Sequence, residues 1–236
     1  ALTSASATAP IVGYEALIRW QHQGTSDIMS PADFIPLAEE SDLISQLGNW
    51  VFRTVCQQLS QWHRTFPHRS VPFVSVNFSV RHLQGEQFVQ QIYEVLKETQ
   101  VQPSWLKFEI TESLLIQDTQ LIMNTLAQLR HRGIQISIDG FGTGYSSLRY
   151  LKQLPVDTLK IDRAFIQDME SDHDNLKIVE AIVQLAQALQ LDIVAEGIET
   201  GWQAQQLIEF GCTHGQGYWF SQPLDNQAAW GLLQEN

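Results

Sequence analysis

Apolar and polar positions alternate with a period near two in seven short runs, and between them the apolar spacing lengthens to three and four. The runs are "IVGYEALIRW", "FVSVNFSV", "LKFEITES", "IQISIDGF", "TLKIDRAF", "DIVAEGIE" and "THGQGYWF". Each is rich in β-branched or aromatic residues, which suits strands. The segments between them carry helical spacing. In "SPADFIPLAEE" Ser30 is placed to cap and Pro31 to open a helix, while "LGNWVFRTVCQQLSQWHRTF" is expected to put Trp50, Val51, Val55, Leu59 and Trp62 on one face. "FVQQIYEVLKE", "TQLIMNTLAQLRHRG", "LKIVEAIVQLAQALQ" and "AQQLIEFG" repeat the pattern, two of them stopping at Gly133 and Gly211. Regular alternation of strand and helix predicts a parallel sheet, closed into a barrel or open and doubly wound.

The polar residues embedded in the strands choose between the two. Glu15, Asn77, Glu109, Asp139, Lys160, Glu196 and Gln216 each fall in or at the end of a different run. A parallel barrel gathers such positions on one rim, where active sites lie, whereas an open sheet spreads them along an edge. The expected fold is therefore α/β, a TIM-like (β/α)8 barrel. Only seven strands are evident, and "LTSASATA" is a poor eighth, so the usual first strand is poorly represented or missing. Residues 1–10, small and uncharged, read as a linker or disordered leader, and residues 11–236 as one domain.

Four carboxylates on one rim repel one another unless a cation sits among them. Glu15, Glu109, Asp139 and Glu196 are these acids, and hard oxygen donors, Asn77 among them, with neither His nor Cys in the set, favour Mg²⁺ or Mn²⁺ over Zn²⁺. In "LKIDRAFI" the alternation turns Lys160 and Asp162 to one side, and an ammonium held charged among acids suits stabilising a reacting oxygen. Arg19, four residues after Glu15, could meet an anionic substrate. "GFGTGYSS" could cradle a phosphate.

A formal net charge of −12 argues against nucleic acid polymers and anionic membranes as partners, since both require clustered Lys and Arg. No apolar run approaches the roughly 20 residues of a spanning helix. Membrane insertion is not expected, and a cytoplasmic location is. Cys56 and Cys212, far apart and without CxxC spacing, suit buried thiols in a reducing compartment.

These residues match a known pattern. The sequence resembles the EAL domain, the phosphodiesterase domain acting on cyclic di-GMP. "YEALIRW" holds Glu15, Ala16 and Leu17 of the signature, and "SPADFIPLAEESDLI", "VNFSVRHL", "FEITES", "FGTGYSSLRYLKQLPVDTLKIDRAFI", "VAEGIET" and "GQGYWFSQPL" follow in family order. The resemblance implies hydrolysis of cyclic di-GMP to linear pGpG by in-line attack of an activated water. It implies that Glu15, Asn77, Glu109 and Asp139 hold a first metal, with Asp162 and Glu199 supporting a second. Lys160 and Glu196 would be the catalytic pair, Arg19 and Gln216 would contact substrate, and Glu112 would hold the loop after Asp139. The family loop usually reads Asp-Asp-Phe-Gly-Thr-Gly, its second aspartate helping to bind the second metal. Here that position is Gly140, so attenuated turnover is expected, with a cyclic di-GMP receptor as the alternative. Family habit also implies fusion to sensory or GGDEF domains and leaves a homodimer open.

Overall fold

The computed structural model describes residues 1, 2, 6, 10–22, 24, 27–41, 43–85, 87–112, 119–143 and 148–235. The serine pair of "GFGTGYSS" lies outside them. Strand β1 (Gly13–Ala16) leads into a small hairpin, β2 (Trp20–Gln21) and β3 (Ile28–Met29), and then into helices α1 (Pro31–Glu39) and α2 (Leu43–Thr65). Ser30 caps α1 through its side chain, with Pro31 opening the helix as expected. Next come β4 (Phe73–Phe78), α3 (Val80–Leu83), α4 (Phe88–Thr99), β5 (Leu106–Thr111), α5 (Thr119–His131), β6 (Gln135–Phe141) and α6 (Leu148–Leu151). The chain continues through β7 (Thr158–Ile161), α7 (Arg163–Asp168), α8 (His173–Ala188), β8 (Asp192–Ala195), α9 (Gly201–Phe210), β9 (His214–Gly215) and α10 (Asn226–Glu235).

Seven strands form one parallel sheet in the order β1-β4-β5-β6-β7-β8-β9. These are the seven runs of the sequence, and the sheet curls as a partial barrel with β1 and β9 at its edges. Among the described residues no eighth strand joins those edges. Within the first ten residues, however, Leu2 is only 6% exposed, packs beside Gly215, and donates its backbone N–H to Thr213 O at 2.9 Å. That residue belongs to the core rather than to a free leader, because a leucine packed beside Gly215, where Ile198 also lies, gains more from burial than from water.

Strand parity separates two layers. Val74, Val76, Leu106, Phe108, Ile110, Ile136, Ile138, Leu159, Ile161 and Ile193 are buried against the helices. The alternate positions face the interior, where Ser75, Lys107, Ser137 and Thr158 form a buried polar floor. Lys107 Nζ donates to Thr158 Oγ1 at 2.9 Å and lies over the Phe73 ring. Helix α2 supplies Phe52, Val55, Leu59 and Trp62 to the outer core, but Trp50 is 59% exposed, contrary to expectation. At about 100° per residue, Trp50 sits roughly 140° around the helix from Val55. Both cysteines are free and buried, and burial pushes each thiol up to about 12.

A buried histidine ties β4 to α2. His82 Nδ1 accepts the Ser79 N–H at 3.2 Å, so the proton sits on Nε2, which donates to Ile44 O at 2.7 Å. Burial holds this imidazole below its ordinary pKa, opposed by the Ile44 carbonyl, the Glu39 carboxylate and the Ser79 backbone. The folded state thus binds the proton less readily than the unfolded chain. His82 stabilises the fold fully above about pH 6.5 and loses that contribution as pH falls through its depressed folded value. Urea unfolding between pH 8 and 5 should show His82→Gln with a shallower acid loss, by at most about 1.4 kcal/mol per pH unit. Equal slopes in the two proteins would contradict this.

Candidate active site

The sheet delivers its polar residues to one network centred on Lys160, near the end of β7 and 2% exposed. Its ammonium lies 2.7 Å from Glu109 Oε2, 2.5 Å from Glu196 Oε1, 3.4 Å from Glu15 Oε2 and 3.5 Å from Asp139 Oδ1. Asn77 Nδ2 donates to Glu15 Oε1 at 2.8 Å, and Gln216 Nε2 donates to Glu15 Oε2 at 2.7 Å. The Gln216 bond spans the two edges of the curled sheet, from the end of β9 to β1. Seven of the residues singled out in the sequence, five from within strands and two from just past the ends of β8 and β9, therefore meet.

Backbone pairing aligns them. Asn77 lies opposite Glu109 across β4 and β5, and Thr111 lies opposite Asp139 across β5 and β6. Glu196 N–H donates to Ile161 O at 3.1 Å and Gln216 N–H to Ala195 O at 2.8 Å, extending the ladder just past the strand ends. Between β6 and β7 the register slips: Ile138 faces Leu159, whereas Phe141 faces Ile161. Three steps on β6 thus match two on β7, a bulge at Asp139 and Gly140. Gly140 has φ of +67°, the left-handed region that glycine enters without penalty.

One ammonium cannot balance four acids, and the titration of the group reflects it. Burial pushes Glu109 up to about 8, with Glu15 and Asp139 adding to the rise and Lys160 opposing it. Burial likewise raises Glu196 to about 7. Burial raises Glu15 too, but Lys160 and the hydrogen bonds from Gln216 and Asn77 outweigh it and hold this carboxyl below its usual value. Burial alone would lower Lys160; the surrounding carboxylates hold it well above the ordinary lysine value.

The remaining candidates sit around this centre. Glu112 is buried and accepts the Gly142 N–H at 2.8 Å, a contact that steadies the loop after Asp139. Asp162 caps α7, accepting the Ala164 N–H at 2.8 Å. Glu199 accepts from Gln167 Nε2 at 3.0 Å. Arg19 is exposed and donates to the neighbouring Ile18 O at 2.9 Å. Gln203, not singled out in the sequence, is buried and bonded to two segments of the rim; its signal was present as the capping box Thr200-x-x-Gln203.

Among the described residues, no three Asp, Glu, His or Cys side chains are gathered as a metal-ligand set. In this arrangement the carboxylates converge on the ammonium. Two features nevertheless fit a hard divalent cation: the excess of buried acid over Lys160, and Asp139 Oδ1, which is buried and accepts no hydrogen bond from the described residues.

A family model described as the EAL domain matches residues 4–223. The chain belongs to the EAL domain family. This EAL domain is 41% identical over 219 residues to MucR of Pseudomonas aeruginosa, a protein named as a bifunctional diguanylate cyclase/cyclic di-GMP phosphodiesterase; the match covers 91% of this chain and 31% of that one. It is 40% identical over 210 residues to the P. aeruginosa cyclic di-GMP phosphodiesterase NbdA, covering 89% and 26%. The solved structure of the PaMucR phosphodiesterase in complex with c-di-GMP superposes with a TM-score of 0.88 at 39% identity, covering 95% of this chain and 90% of that one. The EAL enzyme Bd1971, in its cAMP- and cyclic-di-GMP-bound form, gives a TM-score of 0.91 at 31% identity over 97% of this chain and 62% of that one. The chain spans about a third of the length of the curated relatives it matches. Among its described residues, no helix is long and apolar enough to cross a membrane.

Proposed function

We propose that this EAL domain hydrolyses one phosphodiester bond of cyclic di-GMP to give linear pGpG, at a rate attenuated by Gly140. The observation that carries the reading is the meeting of Glu15, Glu109, Asp139 and Glu196 on the Lys160 ammonium in a chain of this family. Relatives named for cyclic di-GMP hydrolysis and a relative solved with c-di-GMP support the substrate.

Glu15, Asn77, Glu109 and Asp139 would hold a Mg²⁺ or Mn²⁺ ion, which when bound neutralises phosphoryl charge and acidifies water. Asn77 and Gln216 already orient Glu15, one on each oxygen, so its carboxylate cannot turn away from the rim. Lys160 stays charged through neutral pH and places positive charge where negative charge develops on phosphate. Glu196, raised to about 7, can take a proton from water near neutrality and hold it. Asp162 and Glu199, lying beyond Lys160 and Glu196 in sequence, support the same rim, and Gln216 and Arg19 are the proposed substrate contacts.

Gly140 favours a second reading, a receptor that binds the dinucleotide without cutting it, because the loop lacks a carboxylate there. The two separate in one experiment on the purified protein with cyclic di-GMP in Mg²⁺, Mn²⁺ or chelator, with product analysis and binding followed in parallel. Metal-dependent pGpG is expected. Binding with no pGpG in any metal would overturn hydrolysis in favour of the receptor.

A further inference from the structure

Gln203 lies on α9, outside the acid network, and is 4% exposed. Its side chain makes three hydrogen bonds in two directions. Oε1 accepts the N–H of Glu199 at 2.7 Å and of Thr200 at 3.1 Å, while Nε2 donates to Ile166 O at 3.1 Å. The first two close the capping box of α9 and fix the segment after Glu196. The third reaches α7, whose N-cap, Asp162, lies two residues after Lys160.

Two further contacts join the same two segments. Gly197 (φ +72°) packs so closely on α7 that a Cβ there would stand 2.6 Å from Arg163 Cβ. Gln167 Nε2 donates to Glu199 Oε1 at 3.0 Å. Of these links, only Gln203 is buried and bonded to both backbones at once.

We propose that Gln203 is a positioning residue that sets the spacing between Asp162 and the Glu196–Glu199 segment, acting through its bond to Ile166 O. The proposal rests on the metal-dependent reading of the rim. It differs from an ordinary capping role in one respect that can be measured. Glu serves a capping box as well as Gln does, because both offer an acceptor to the N-cap backbone. A carboxylate at 203 would keep the bonds from Glu199 and Thr200 but cannot donate to Ile166 O, and two acceptors would face each other there.

The test uses the full chain at pH 8, comparing wild type, Gln203→Glu and Gln203→Met after circular dichroism confirms folding. Mn²⁺ affinity is measured by calorimetry, and amide exchange is followed over residues 162–168 and 196–200. Gln203→Glu is expected to lose about tenfold in Mn²⁺ affinity, in line with outer partners of metal sites. Exchange should accelerate in 162–168 while 196–200 stays protected. Gln203→Met, which carries no charge, should accelerate exchange in both segments and covers the case in which a buried carboxylate unfolds the protein. Wild-type exchange at 162–168 in Gln203→Glu, or in Gln203→Met if only that variant folds, would overturn the proposal. If wild type itself binds no Mn²⁺ and forms no pGpG, the reading of the rim fails, and the exchange pattern still decides the role of Gln203.

Discussion

Lys160→Met is expected to abolish turnover and to destabilise the protein in chelator by about 3–5 kcal/mol, the cost of leaving buried charge without its partner. Lys160 is the only cation in contact with Glu15, Glu109, Asp139 and Glu196 among the described residues. Methionine fills nearly the same space, so lost packing contributes little and the effect reports charge. The sign of the pH dependence follows from the acids. Glu109 and Glu196 already titrate at about 8 and about 7 in the folded protein, above an unfolded carboxyl near 4.3. Their protonated forms favour the fold at low pH, and that contribution falls away as pH rises through 7 and 8. Without the ammonium, both should rise further. The gap between variant and wild type should therefore be small at pH 5 and largest at pH 9. Mn²⁺ should narrow it, since a cation that binds only the folded state stabilises by mass action. Urea unfolding across pH, with and without Mn²⁺, measures all of this. A variant as stable as wild type at pH 9 in chelator would show that the acids do not depend on Lys160.

Gly140→Asp is expected to raise Mn²⁺ affinity and turnover by roughly 10- to 100-fold, the range over which partners of metal sites act. Among the described residues, a Cβ at position 140 would meet only Asp162 Oδ2 at 3.6 Å and Thr143 Oγ1 at 4.0 Å, both ordinary van der Waals contacts. The backbone φ of +67° costs a side chain about 1 kcal/mol, and Asp tolerates this region better than most residues. The new carboxylate would stand beside Asp162. Two such acids repel until a divalent cation joins them, so the variant should unfold more easily in chelator and gain more from metal than wild type does. Gly140→Asn keeps the shape without the charge and should show the backbone cost but no gain. A silent Gly140→Asp, or an Asn variant that matches it, would place the cause of attenuation elsewhere.

Much of this arrangement was legible in the sequence because a buried parallel strand shows its inward polar residue against an apolar background. Glu109 in "LKFEITES" and Lys160 in "TLKIDRAF" stand out for that reason. Their meeting on one rim followed from strand count and polarity alone. Other features left no such trace. Trp50 is the exception: it shares the apolar character of Val55 and Trp62, but its spacing in the sequence already turns it about 140° around α2 from Val55. Leu2 lies in a segment too small and polar to suggest burial, yet one leucine beside the β9 edge suffices. The spacing of Arg19 from Glu15 marks it as a candidate substrate contact but says nothing of its bond to the Ile18 carbonyl. Gln203 was visible only as a helix cap, since the carbonyl it reaches belongs to a helix 37 residues away.

The bulge in β6 has a consequence for how many side chains a strand can offer. In a regular strand consecutive residues point to opposite faces, so a barrel rim receives every second one. Gly140 is an interpolated step: Ile138 points outward, Asp139 inward, and Phe141 outward again opposite Ile161. Position 140 is thereby released from the alternation and has no opposite number on β7. One strand can then present two neighbouring positions to the same cavity without turning an apolar residue out of the core. Removing Gly140 would leave the phase of β6 intact on both sides of the gap, and the rim would lose the extra position altogether.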